Sequence, residues 1–237
     1  YQKSGDRSAL QRANDWLAHG KNRRLLSFQA AQYWLVRASL AKEQRDAAEA
    51  EQALREAINV DPQNTLALTT LARHLAGTSR SDEALELHRK AELYSPGYFQ
   101  PMLELGVALY FTGKYEEAEA EYRKILSLAP DLSQAHHNLA AVLADTARYD
   151  LAEKQFQQAL RLDRTADTLA GMGAVMAYQG RHTESALYYE QAVSFGPDDY
   201  LLLSNLGDSY RRTGRNADAL RTYARALAAA NSQVTSR

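Results

Sequence analysis

A step of 34 residues runs through this chain and restricts its fold more than any compositional figure. Small residues recur as Ala50, Ala84, Ala118, Ala152, Ser185 and Ala219, at intervals of 34, 34, 34, 33 and 34. A second row is Ala57, Ala91, Ile125, Ala159, Ala192 and Ala226. A third is Ala38, Ala72, Gly106, Ala140, Gly173 and Gly207, and Pro62, Pro96, Pro130 and Pro197 keep the same step. A fixed period of this length marks a stack of like units, none of which buries its apolar face alone.

Each unit reads as a helical hairpin. In "LELGVALYFTGKYEEAEAEYRKILSLAP" (103–130), Met102, Leu105, Gly106 and Leu109 share a helical face before Gly113. After it, Ala118, Tyr122 and Ile125 share another at i, i+4, i+7. Gly113, with Gly180 and Gly214 at the same place, supplies the left-handed residue that ends a helix. The proline then closes the second helix, which it cannot continue. The small rows allow two backbones to approach closely. Leu54, His88, Tyr122, Phe156, Tyr189 and Tyr223 are the bulky partners expected to fill the space left over.

The segment "LSNLGDSYRRTGRNADALRTYARAL" (203–227) resembles the tetratricopeptide repeat, with Leu206, Gly207, Tyr210, Gly214, Ala219, Tyr223 and Ala226 in place. The resemblance covers most of the chain. It implies an all-α fold, a right-handed α-α superhelix of six helical hairpins at 31–64, 65–98, 99–132, 133–165, 166–199 and 200–233. Residues 1–30 do not fit the repeat; "RSALQRANDWLAHG" (7–20) reads as a capping helix over the apolar end of the stack. Residues 234–237 are expected to fray. The first unit lacks the hairpin glycine and has Arg37 where the family has leucine. The fourth is one residue short and carries Arg164 in place of proline. We expect that shortened junction, 163–167, to open more readily than those at Pro96 and Pro130. The stretch from "LDRTADT" to "SYRRTGR" is similar to repeat regions of large bacterial signalling proteins, whose kinase, cyclase or winged-helix domains stand elsewhere in the chain. On that resemblance this would be the sensory or regulatory part of such a protein. A chain that begins at Tyr1 is expected to be processed or excised from a longer one.

Chemistry of other kinds finds little support. A net charge of −1 and the short cluster "RRTGR" (211–215) give no basic track for nucleic acid. The absence of cysteine removes disulfides, thiolate catalysis and cysteine-based zinc sites. No apolar run approaches the roughly 20 residues of a membrane helix, so no membrane insertion by this segment is expected. Gly171 and Gly173 in "LAGMGAVMAYQG" form a G-x-G, but the polar "RLDRTADT" before them is no strand, and Met176 is too bulky for a dinucleotide fingerprint. His136 and His137 are neighbours, which point apart on a helix rather than chelating one metal. Glu116 and Glu117 open a second helix, where carboxylates are favoured. Neither a cofactor nor catalysis by this chain is expected.

The family resemblance places function in a groove lined by the first helices of successive hairpins, with a protein or peptide as ligand. Mapped onto this chain, the candidate groove residues are Gln100, Leu103, Tyr110, Phe111, Gln134, His137, Asn138, Tyr178, Asn205, Asp208, Arg211 and Arg212. Tyr110, Phe111, Tyr178 and the arginines are residue types that carry interface energy. Asn138 and Asn205 match positions where relatives hold a peptide backbone. Tyr110 and Tyr178 could equally pack between hairpins. The carboxylate clamp of chaperone co-factors is missing, because Asp167 and Gly171 stand where it needs lysine and arginine. The sequence carries no address; a cytoplasmic setting is favoured, or an extracytoplasmic one if the chain is part of a membrane-anchored signalling protein.

Overall fold

The computed structural model describes residues 27–76, 78–196 and 199–235. Among them are twelve helices and no strand: α1 (Ser27–Glu43), α2 (Ala47–Val60), α3 (Thr65–Ala76), α4 (Ser81–Tyr94), α5 (Phe99–Phe111), α6 (Tyr115–Leu128), α7 (Ser133–Asp145), α8 (Tyr149–Leu162), α9 (Ala166–Tyr178), α10 (His182–Val193), α11 (Tyr200–Arg212) and α12 (Asn216–Thr235). The fold class is thus the all-α helical-hairpin repeat. The chain packs as two compact units, Tyr1–Ala108 and Leu109–Arg237. The expected capping helix at 7–20 lies outside the described residues, and of 234–237 only the last two do.

Within each unit the hairpins are held by the rows read from the sequence. Every member of the three small-residue rows is buried, Ser185 included. The bulky partners Leu54, His88, Tyr122, Phe156 and Tyr189 are buried with them, and Tyr223 is half-buried. The fit is close: a methyl group added at Gly173 would stand 3.1 Å from the Tyr189 ring, and one at Gly207 would stand 2.5 Å from that of Tyr223. Ser185, the one hydroxyl in its row, is satisfied by Ser209 Oγ at 2.9 Å, so its polarity costs little despite burial.

The hairpin turns carry the left-handed residue that the glycines promise. Gly113, Gly180 and Gly214 have φ of 75°, 76° and 78°. The first and fourth hairpins reach the same conformation without glycine, at Arg45 (φ 60°) and Ala147 (φ 58°), where a side chain costs about 1–2 kcal/mol. Gly171 and Gly173 lie inside α9, so their N–H groups belong to a helix and not to a phosphate loop.

A second device joins the hairpins. The residue just before α4, α8, α10 and α12 is arginine, and each reaches back to a glutamate on the preceding second helix. Arg80 meets Glu51 at 2.7 Å and Arg148 meets Glu119 at 2.5 Å. Arg181 meets Glu153 at 2.8 Å and Arg215 meets Glu190 at 3.1 Å. Arg80, Arg148 and Arg181 occupy N-cap positions and make no side-chain cap; the helix start goes uncapped and the neighbouring hairpin is tied instead.

The shortened junction is closed by hydroxyl groups. Thr165 caps α9 by accepting from Thr168 N at 3.2 Å, and its own Oγ1 lies 2.8 Å from Thr168 Oγ1. The Thr168 hydroxyl in turn lies 3.0 Å from His137 Nδ1 on α7. The capped start of α9 is thereby bound to the neighbouring helix α7.

Candidate functional site

The second unit gathers five of the candidate residues at one place. A cavity of about 320 Å³ opens between the first helices α9 and α11. Tyr178 lines it from the end of α9, and Asn205, Asp208, Arg211 and Arg212 line it from α11. Its floor is small on the α9 side, at Ala174 and Ala177, so the opening results from the same residue sizes that permit close packing. Tyr178 is 67% exposed and stacks on Tyr149, ring centroids 5.4 Å apart at 13°. An exposed ring held in place loses little freedom on meeting a ligand.

The polar groups of this cavity differ in how free they are. Asp208 accepts a hydrogen bond from the Tyr223 hydroxyl at 2.6 Å and lies 3.5 Å from Arg211 Nη2. Asn205 and Arg212 are exposed, and among the described residues Arg212 has no ion pair. Two guanidinium groups therefore stand against one carboxylate, and the lip favours an acidic ligand. The cavity is also lined by His182 and Ser209, which the sequence reading did not name, and by Tyr189, which it placed among the bulky packing partners. His182 could have been found: it opens α10 where the neighbouring hairpins begin with Tyr115 and Tyr149.

The other candidates are placed differently. Phe111 is 80% exposed at the end of α5 and meets Tyr110 edge-on at 5.2 Å. Tyr110 donates to Asp145, two turns beyond Asn138 on α7. Burial and that carboxylate both push its pKa up. It bridges helices, as the packing alternative anticipated. Gln134 is exposed on the first turn of α7.

Three candidates are turned partly or wholly inward, with His137 and Asn138 half-buried and Leu103 buried. His137 turns inward, edge-on to Phe156 at 5.6 Å and against Thr168. Burial pushes its pKa down. The Asn138 amide sits beside the Tyr122 phenol, with Nδ2 enclosed and without hydrogen-bond geometry; that nitrogen is not presented to a ligand. Leu103 is 4% exposed and serves packing. Each points inward because an i, i+3, i+4 pattern fixes a helix's apolar stripe more sharply than the edges of its polar face. Gln100, in the first unit, donates to Glu104 at 3.0 Å. Glu104 also lies 3.9 Å from Arg73 and 4.0 Å from the buried His88.

Family models of the tetratricopeptide repeat match residues 31–64, 97–165 and 175–234, together about two thirds of the chain. No curated protein sequence matches it significantly. Among solved structures, Pseudomonas aeruginosa PilF is 20% identical with a TM-score of 0.69, over 83% of this chain and 90% of its own. PilW, a type IV pilus biogenesis factor, is 19% identical with a TM-score of 0.75, over 84% and 93%. YrrB, described as having an unusual peptide-binding site, is 18% identical with a TM-score of 0.59, over 81% and 97%. These likenesses carry the fold. Among the described residues, no helix is long and apolar enough to cross a membrane.

Proposed function

Since this chain belongs to the tetratricopeptide repeat family, we propose that it is a non-catalytic protein–protein interaction scaffold that holds a peptide or protein segment against the first helices of its hairpins. The cavity between α9 and α11 carries this reading. It offers an exposed, pre-positioned aromatic ring, a free amide at Asn205 and a free guanidinium at Arg212, the mixture that anchors a peptide by side chain, backbone and charge. An acidic segment suits it, drawn in by Arg211 and Arg212 at a rate that falls with salt.

The test uses a partner co-purified with the chain and then titrated by calorimetry. Tyr178→Ala with Arg212→Ala is expected to weaken it by roughly 2 kcal/mol or more, with the far-ultraviolet circular dichroism unchanged. Lys154→Ala, exposed on the second helix α8, is expected to leave affinity as it was. Unchanged affinity in the double variant would remove the first-helix face as the docking surface.

A further inference from the structure

Beside the shortened junction lies a cavity that the first-helix reading does not use. About 530 Å³ lies between the second helices α8 and α10, bounded by Leu160 and Arg161 on one side, Leu187, Tyr188 and Gln191 on the other, and Arg164 at the end. We propose that this is a second docking site, for an acidic protein segment that carries a bulky apolar side chain.

The charge is unusual for this surface. Among the described residues neither Arg161 nor Arg164 makes an ion pair. Arg80, Arg148, Arg181 and Arg215 all do, each with a carboxylate of a neighbouring hairpin. Glu184 also borders the cavity, but its carboxylate is held by Arg181. Two guanidinium groups with no carboxylate of their own therefore flank the opening. Arg164 is positioned by contact and not by chance: it donates to the Gln191 amide oxygen across the cavity. The Thr165 cap fixes the backbone beside it.

The apolar component is equally specific. Leu187 is 50% exposed, with Leu160 and Tyr188 half-buried beside it. An aliphatic floor between two cations suits a segment with a hydrophobic side chain flanked by Asp or Glu, since burial supplies affinity and charge supplies orientation. A nucleic acid needs a longer run of cations and gains nothing from the leucines. The site owes Arg164 to a junction that departs from the repeat. Pro62, Pro96 and Pro130 stand at earlier junctions, where Arg164 stands here; proline at that place would bring neither the charge nor the bond to Gln191.

The experiment pans displayed random twelve-residue peptides on the full chain at low salt and elutes with sodium chloride. We expect eluted sequences rich in Asp and Glu around Leu, Ile or Phe. The synthesised consensus peptide should bind the wild type and the Tyr178→Ala/Arg212→Ala variant alike. It should lose at least tenfold in affinity on Arg161→Glu/Arg164→Glu and on Leu187→Asp. Arg161, Arg164 and Leu187 are exposed, so melting curves close to wild type are expected for the two test variants. Any of three results would overturn the proposal: no acidic enrichment, binding indifferent to both test variants, or displacement of the peptide by a short RNA or DNA duplex at lower concentration than by unlabelled peptide.

Discussion

Gly171→Ala separates two accounts of why glycine occurs in α9. The small-residue row contains Gly173, which on sequence grounds should be the sensitive position. The structure reverses that order. A Cβ at Gly171 would stand 2.5 Å from Phe156 Cζ and 2.7 Å from Cε1, against a comfortable 3.5–4.0 Å between carbons. The ring would have to retreat by about 1 Å, yet Phe156 is buried and already packed on His137. Overpacking of this kind costs about 1–3 kcal/mol, and replacing glycine inside a helix returns roughly 0.5–1 kcal/mol. The net loss is up to about 2.5 kcal/mol and centred near 1 kcal/mol, a fall in melting temperature of roughly 2–4 °C at the centre of that range for a chain of this size. At Gly173 the contact with Tyr189 is 3.1 Å, a gap the ring closes by a small shift, and the two effects cancel. At Gly207 the 2.5 Å contact is to Tyr223, which is half-buried and can swing aside at the loss of its bond to Asp208. Urea unfolding followed by circular dichroism should therefore rank the alanine variants Gly171, Gly207, Gly173, from most to least damaging. Phe156→Leu in the Gly171→Ala background should recover part of the loss. If Gly171→Ala matches the wild type, or Gly173→Ala proves the costlier, the packing argument fails.

Three other outcomes are expected. Ala147→Gly should raise stability by about 1 kcal/mol in urea titration, because it relieves a left-handed alanine; no gain would mean that the strain is absorbed elsewhere. Burial pushes the Tyr189 phenol up from 10.0 to about 12. Its protonated form is thus favoured in the fold, and that contribution is complete below pH 10 and fades as pH rises toward 12. Melting temperatures should fall across that window, and Tyr189→Phe should flatten the fall. Burial pushes His88 down from 6.5, so its neutral form is favoured, with the stability complete above pH 6.5 and lost as pH drops through the folded value. His88→Leu, which copies Leu54 at the equivalent place, should lessen the acid-side slope in the same melting series.

The three small rows were legible because burial and close approach act on one residue at a time and repeat at every turn of the stack. Ala152, Ser185 and Ala219 are buried for the reason their spacing suggests. Gly171 was not legible. Its restriction comes from Phe156, fifteen positions back on the preceding hairpin; the equivalent pair is Asn138 beside Tyr122, so the contact recurs, but a position held by glycine in one repeat and asparagine in another forms no row of like residues. The inward turn of His137 and Asn138 was hidden for a related reason. Both stand at the edge of a helical stripe, where one step of 100° separates the packed side from the open one. Tyr178, Asn205 and Arg212, which the repeat pattern puts on the polar face, line one cavity between α9 and α11. The arginines before the second helices were visible all along, at intervals of 68, 33 and 34, but a cation at a surface turn says nothing until its carboxylate is located.

Those arginine–glutamate contacts bear on how such a chain can lengthen or shorten. The fourth and fifth repeats each bring their own arginine and, a few residues later, the glutamate that the next repeat uses, whereas the third has Lys114 at the arginine's place. Arg148 with Glu153, and Arg181 with Glu190, sit within one hairpin yet serve opposite neighbours. A recombination that duplicates either of these two repeats in frame therefore joins an arginine to a suitable glutamate at the new seam, with no second mutation required. Growth by whole units is open to the gene in single steps, whereas a gain or loss of one residue, as at 163–167, leaves a lasting mark that only new side chains can mend.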